Sequence, residues 1–257
     1  VGLVWKDQAH FNFQNYPNIT MNLQGKTILV VGGATGIGKS TVEICKNAGA
    51  TVVFADFNEA AGAETAQQTG VQFIKVDVTD EASVAALFKA VGDAHGKLDV
   101  LIQTAGVLRG AFVDIETFDV NMFKNVIDVN LVGSMLSAKY GVPLLKKGSK
   151  PVIVLVSSGA AVGGSSSYAY GASKGGVNTL GITLANKLAG DHIRVNVVMP
   201  GNIDTAMKRT VIDEQKAKFG GGDQQGLNLG EPVGVGRILA WLASDDADYV
   251  RGMISTR

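Results

Sequence analysis

Tyr170 and Lys174 stand four residues apart in the run SSSYAYGASKGG (165–176), a spacing that puts both side chains on one face of a helix. A phenol ionises near pH ~10, too high for a general base near neutrality. A neighbouring ammonium stabilises the phenolate and brings that value down. Upstream, the apolar run PVIVLV (151–156) ends at Ser157-Ser158, where a strand delivers a hydroxyl to the same place. Phenol, ammonium and hydroxyl make a proton-handling set that needs no metal. Tyr-x-x-x-Lys occurs once in the chain, where a crossover helix should begin.

A second candidate is the glycine loop VVGGATGIGKS (30–40). Two patterns overlap on it. Gly33-x-x-x-x-Gly38-Lys39-Ser40 fits the phosphate loop of nucleoside triphosphatases, with a lysine for the terminal phosphates. Gly32-x-x-x-Gly36-x-Gly38 fits a dinucleotide turn, where glycines let the backbone approach a pyrophosphate at a helix N-terminus. Asp56, closing the run TVVFAD (51–56), serves either pattern: a carboxylate for adenosine ribose hydroxyls or a magnesium ligand. It also fits a plain N-cap for the helix that follows.

These groups need a scaffold, and apolar β-branched runs alternating with helical patterns supply one. Strands are expected at 27–31, 51–55, 71–76, 98–103, 151–156 and 193–198. Helices are expected at 37–48, 58–68, 80–94, 118–146, 170–189 and 231–243. Such alternation predicts an α/β fold, a Rossmann-like doubly wound parallel sheet with helices on both faces. Ligands then bind beyond the C-terminal strand ends. Residues 1–21 precede the pattern and read as an N-terminal extension, with one catalytic domain over 22–257. The polar, glycine-interrupted segment 204–229 reads as a mobile lid.

Composition removes other classes. The chain has 257 residues, 46% of them hydrophobic, enough for one large domain. Its 23 basic and 23 acidic residues balance, which argues against a nucleic-acid partner. No apolar stretch reaches the ~18–20 residues of a membrane helix, and the first 20 residues have no apolar signal core. A reduced, cytoplasmic setting is expected. Cys45, the one cysteine, falls on the inner face of a helix and reads as a structural thiol. His10, His95 and His192 are scattered, so no metal site is expected.

Taken in order, the motifs resemble the short-chain dehydrogenase/reductase family over about residues 22–253. The likeness rests on the turn from Gly32 to Gly38, Asp77-Val78, Thr104-Ala105-Gly106 and Asn130-Leu131-Val132-Gly133. It continues through Ser157-Ser158, Tyr170-Gly171-Ala172-Ser173-Lys174 and Pro200-Gly201-Asn202-Ile203-Asp204-Thr205. The resemblance implies an NAD-dependent oxidoreductase with Tyr170 as acid/base on the substrate oxygen. Lys174 would depress the tyrosine's pKa and bond the nicotinamide ribose. A serine would hydrogen-bond the substrate oxygen, and Asn130 would hold a water leading from Lys174 to solvent. Strand position favours Ser158 for the serine; the family's spacing to the tyrosine favours Ser157. Ser158 is the choice, with a loop one residue shorter.

The same resemblance assigns the cofactor site. Gly32, Thr35, Gly36, Ile37 and Gly38 would cradle the pyrophosphate. Asp56 and Phe57 would meet the adenosine ribose, and Asp77 and Val78 the adenine. Thr104, Ala105 and Gly106 would line the floor, and Pro200, Gly201, Ile203 and Thr205 would seat the nicotinamide. Asp56 repels a 2′-phosphate, and the turn carries no basic residue at Thr35; both favour NAD over NADP. Lys39 should then point away from the turn.

Three sites depart from the family pattern: Val31 replaces the usual threonine, Gln103-Thr104 replaces Asn-Asn, and the chain stops at GMISTR. The last leaves a final strand short or trimmed. The substrate pocket is expected from Val107, Leu108, Ala160 to Gly164, Met199, Met207, Val211 and Phe219. With no cation evident there, a neutral, fairly apolar secondary alcohol or ketone is the expected substrate. The alternatives are a 3-oxoacyl- or sugar-type reductase, or a non-catalytic NAD sensor. The resemblance also implies a homotetramer or homodimer.

Overall fold

Thr27–Val31 forms the first strand, β1, and all five residues are buried. Ile28 and Val30 face one side of the sheet, and Leu29 and Val31 face the other. A strand apolar on both faces must be covered on both, which is the signature of a parallel sheet between helix layers. The computed structural model of the chain describes residues 21–220 and 228–256; the proposed extension, apart from residue 21, lies outside them.

Seven parallel strands run in the order β3-β2-β1-β4-β5-β6-β7. The other six are β2 (Thr51–Asp56), β3 (Gln72–Lys75), β4 (Val100–Gln103), β5 (Val152–Val156), β6 (Arg194–Met199) and β7 (Gly252–Ser255). The first six fall within a residue or two of where the apolar runs put them, three of them shorter. β7 pairs with β6, so the short final strand is present, and its alternating half-exposed residues suit a sheet edge. The chain reverses its winding between β1 and β4, which opens a crevice at their C-terminal ends.

Helices α1 (Gly36–Asn47), α2 (Glu59–Thr69) and α9 (Pro232–Ala243) cover one face. The other face takes α3 (Glu81–His95), α5 (Gly133–Leu145) and α7 (Tyr168–Lys187), while α4 (Val120–Ile127) packs on α7. Local chemistry sets their ends. Asn58 and Asp80 accept N-cap bonds from Ala61 N (3.1 Å) and Ala82 N (3.0 Å). Gly70 and Gly96 close α2 and α3 in the left-handed conformation.

Two expectations change. The single helix of 118–146 is two helices joined without a break by a π turn, Asp128–Val132. The lid segment of 204–229 is largely ordered as α8 (Ala206–Phe219), capped by Thr205; residues 221–227 of that segment lie outside the described residues. The remaining helix, α6 (Ala160–Gly163), is a single turn after β5. Cys45 is buried on α1, and burial pushes its thiol up to about 12, so it behaves as an apolar side chain. No helix among the described residues is long and apolar enough to cross a membrane.

Candidate active site

A cleft of about 840 Å³ lies over the C-terminal strand ends, from Asp56 and Phe57 at one end to Met207 and Val211 at the other. The glycine turn forms its floor. Gly32 has φ +88°, and a Cβ there would lie 2.3 Å from Ala105 N; a Cβ on Gly38 would lie 1.9 Å from the Gly32 carbonyl oxygen. The turn therefore packs directly against the β4 end and opens the α1 N-terminus toward the cleft, a ready anion site. Thr104 compensates for the altered family motif. Its hydroxyl donates to the Val31 and Gly32 carbonyls at 2.9 and 3.0 Å, tying β4 to the turn.

Asp56 ends β2 at the cleft rim. One carboxylate oxygen accepts from Ala34 N and the other from Asn58 N, each at 3.0 Å. The carboxylate thus braces the turn and the start of α2 while facing the cleft. Lys39 points elsewhere, donating to Gln68 Oε1 at 2.5 Å, outside the set of cleft-lining residues. A triphosphatase lysine would face the phosphates, so the geometry opposes that reading.

The proton-handling groups meet at the middle of the cleft. Tyr170 and Lys174 lie in the first two turns of α7, whose N-cap is Ser167. Ser158 and Tyr170 both line the cleft, the serine hydroxyl close enough to influence the phenol, and Ala160 N donates to Ser158 Oγ at 3.2 Å. Ser157 is buried and donates to the Lys174 carbonyl at 2.9 Å; it is committed to holding α7. Both serines border the cleft, but the Ser157 hydroxyl is spent on a main-chain carbonyl while that of Ser158 is not.

The expected depression of the tyrosine pKa is not what the protein alone produces. Burial raises the Tyr170 phenol above its ordinary value, and the Ser158 hydroxyl opposes this. Lys174 is itself desolvated, its pKa pushed down to about 8. Its ammonium donates to the Val156 carbonyl at 2.9 Å and stands 5.7 Å from the Tyr170 ring centroid. A charge engaged with a carbonyl at that distance leaves the phenol to its burial.

Asn130 is wholly buried in the π turn and sits one layer behind the cleft wall. Its Oδ1 accepts from Val107 N (2.7 Å), and its Nδ2 donates to Val107 O and Ser173 Oγ (2.9 Å each). It fixes the strand beyond Gly106 against α7. A Cβ on Gly106 would stand 3.2 Å from both Asn130 Oδ1 and Lys174 Nζ, so a side chain there would crowd both groups.

The other expected cofactor residues, Thr35, Gly36, Ile37, Asp77, Val78, Pro200, Gly201, Ile203 and Thr205, all line the cleft. The positive φ of Gly32 and Gly36, the open α1 N-terminus and the Asp56 carboxylate fit a dinucleotide. The substrate wall is corrected at four residues: Ala161 and Val162 of the expected 160–164 stretch do not line the cleft, and Val162 is exposed. Met199 is buried beneath the wall, its sulfur accepting from Asn178 Nδ2 at 3.4 Å. Phe219 is exposed and packs on Phe112 instead. Reading the sequence also missed Arg109 on the wall; with Lys208 it adds two cations to a lining expected to have none. Partial burial lowers the Lys208 pKa. A lone arginine in a loop carries no spacing signal that would have exposed it.

A family model described as enoyl-(acyl carrier protein) reductase matches residues 32–256. The chain is similar to (+)-borneol dehydrogenase 1 of Salvia officinalis, 35% identical over 242 residues, covering 91% of this chain and 93% of that protein. It is likewise 35% identical over 234 residues to cis-4-hydroxycyclohexanecarboxylate dehydrogenase of Sinomonas cyclohexanicum, covering 89% and 93%. Among solved structures, the Pseudomonas aeruginosa RhlG/NADP active-site complex superposes with a TM-score of 0.80 at 28% identity, covering 91% of this chain and 95% of that one.

Proposed function

The chain belongs to the short-chain dehydrogenase/reductase family of oxidoreductases, and from that premise we propose that it transfers a hydride between NAD(H) and a neutral, fairly apolar secondary alcohol or ketone. The observation that carries this reading is that Ser158, Tyr170 and Lys174 line one cleft with the glycine turn and Asp56. Asp56 stands at one end of the cleft, where a ribose with free hydroxyls would bond it and a 2′-phosphate would be repelled.

In the oxidation direction, the alcohol oxygen is held between Ser158 Oγ and Tyr170 Oη. The Tyr170 oxygen receives the hydroxyl proton, and Ser158 donates to the carbonyl oxygen as it forms. A nicotinamide held in the cleft would supply the hydride acceptor. Lys174 holds its proton at Nζ beside the ribose position, and Asn130 keeps the Gly106–Val107 wall in place. Pro200, Ile203 and Thr205 would seat the ring, so that positioning rather than new covalent chemistry does the protein's share.

A second reading is favoured by Arg109 and Lys208: an alcohol or oxoacyl substrate bearing a distal anion that these cations would meet. The chain is further proposed to act in the cytoplasm as a homotetramer or homodimer. The test is NADH and NADPH fluorescence titration followed by NAD+-dependent oxidation of neutral and carboxylate-bearing cyclic alcohols. NADH preference with turnover of the neutral set supports the first reading. Turnover of the carboxylates alone moves the substrate to the second. ATP binding lost in Lys39→Ala, without any NADH signal, overturns both.

A further inference from the structure

The loop that follows β4 is held from two sides at once. Toward the helix that carries Tyr170, Phe112 N donates to Ser166 O at 2.8 Å. The Ser167 hydroxyl donates to Arg109 O at 2.6 Å and accepts from Tyr170 N at 3.3 Å. Phe118 meets Tyr168 edge to face, with centroids 5.4 Å apart. Toward α8, the Lys218 ammonium donates to the Phe112 carbonyl and pairs with Asp114 at 3.0 Å. The Phe219 ring stands edge-on to Phe112 with centroids 5.6 Å apart.

Phe112 is the junction. Its N–H serves the Tyr170 side, while its carbonyl and ring serve α8. Its φ of +60° is a left-handed conformation that an aromatic residue keeps only when its neighbours hold it. The two elements so joined are also walls of the cleft: α8 contributes Met207 and Val211, and the loop contributes Val107 and Leu108. An exposed ion pair such as Lys218–Asp114 contributes little alone. The carbonyl bond and the ring contact make the junction directional.

We propose that Phe112 and Lys218 are positioning residues, a clasp that joins α8 to the N-cap of the Tyr170 helix so that closure over the substrate and placement of the tyrosine hydroxyl occur together. The kinetic part of this rests on the alcohol-dehydrogenase reading above; the mechanical part does not. The two clasp halves are separable by substitution. Lys218→Met removes the donor to the Phe112 carbonyl, and Lys218→Arg keeps one. Phe112→Gly removes the ring contact while relieving the backbone strain.

Hydrogen exchange of the full chain, followed peptide by peptide, tests the mechanical part. Lys218→Met and Phe112→Gly are expected to speed exchange on the order of tenfold in 206–219 and, together with it, in 168–171. Lys218→Arg should restore both, and Phe112→Gly should melt no lower than the parent protein. Steady-state oxidation of cyclohexanol with NAD+ should show kcat/KM falling about tenfold, kcat included, with NADH affinity within about twofold. Faster exchange confined to α8, or in neither segment, overturns the clasp, as does an unchanged kcat. If the parent protein oxidises no alcohol, the functional reading fails and the exchange data alone decide the clasp.

Discussion

Lys174 carries a prediction that needs no substrate. Its ammonium is buried, and desolvation pushes its pKa down to about 8. Against an unfolded-chain value of ~10.4, that depression corresponds to about 3 kcal/mol of penalty on the charged form. The sign follows from proton counting. Between pH 8 and ~10.4 the unfolded chain holds a proton that the folded chain has released, so stability rises with pH across this window. The penalty is fully present below pH 8 and gone above ~10.4. From pH 7 to 9.5 the parent protein should gain about 2 kcal/mol relative to Lys174→Met, in which the charge is absent. For a chain of this length, that is roughly 4–8 °C in Tm. The assay is thermal unfolding of both proteins at several pH values, taking the difference at each so that other titrating groups cancel. At pH 7 the variant loses the penalty and also a charge-assisted bond to Val156 O of about 1.5–3 kcal/mol. It should therefore melt at or slightly above the parent temperature while losing activity. Parallel Tm curves would refute the reasoning, because they require an ammonium already in contact with solvent.

Other substitutions separate the roles of neighbouring groups. Asp56→Asn should narrow the NADH-over-NADPH preference by about 10–100-fold, read by fluorescence titration, while its one amide oxygen keeps an acceptor for only one of the Ala34 and Asn58 amides. An unchanged ratio would remove Asp56 from nucleotide selection. Ser158→Ala should lower kcat by about 10²–10³ without changing Tm. Ser157→Ala should do the reverse, losing about 1 kcal/mol of stability with its bond to Lys174 O; exchanged phenotypes would reverse the serine assignment. Gln103 is buried, and neither end of its amide finds a partner among the described residues. Gln103→Leu should leave stability unchanged or raise it by about 1 kcal/mol, measured by urea unfolding, and a marked loss would reveal a bound water that the amide holds.

What could be read from the letters follows from how local each signal is. β1 was legible to the residue because an unbroken apolar run has one way to be buried on both faces. β7 was not, because GMIS is short, half-exposed and defined only by its neighbour β6. The helix of 118–146 was legible as helix, but no residue type announces a π turn; the departure is set by where Asn130 must reach. The helix within the expected lid of 204–229 was not legible because an exposed helix shows little apolar periodicity. In the site, glycines and the Tyr170–Lys174 spacing were legible because they obey fixed geometry. Lys174's own desolvation, the burial of Met199 and the turn of Phe219 toward Phe112 were not. Each depends on contacts between segments far apart in the chain.

The π turn at Asp128–Val132 has a consequence for how the chain tolerates change in length. A π turn holds one residue more than the α-helix around it, so α4 and α5 are out of phase with a single continuous helix. Asn130 sits in the surplus, its carbonyl accepting from Ser134 Oγ at 2.6 Å and its amide clamped to Val107. Removing one residue there would let the helix close into regular α geometry with every main-chain bond intact. The same deletion would rotate everything beyond it by about a hundred degrees, turning Asn130 from Val107 or Ala138 from the core. The segment is thus a vernier: its added residue is what lets one face of α5 meet the sheet while one face of α4 meets the cleft.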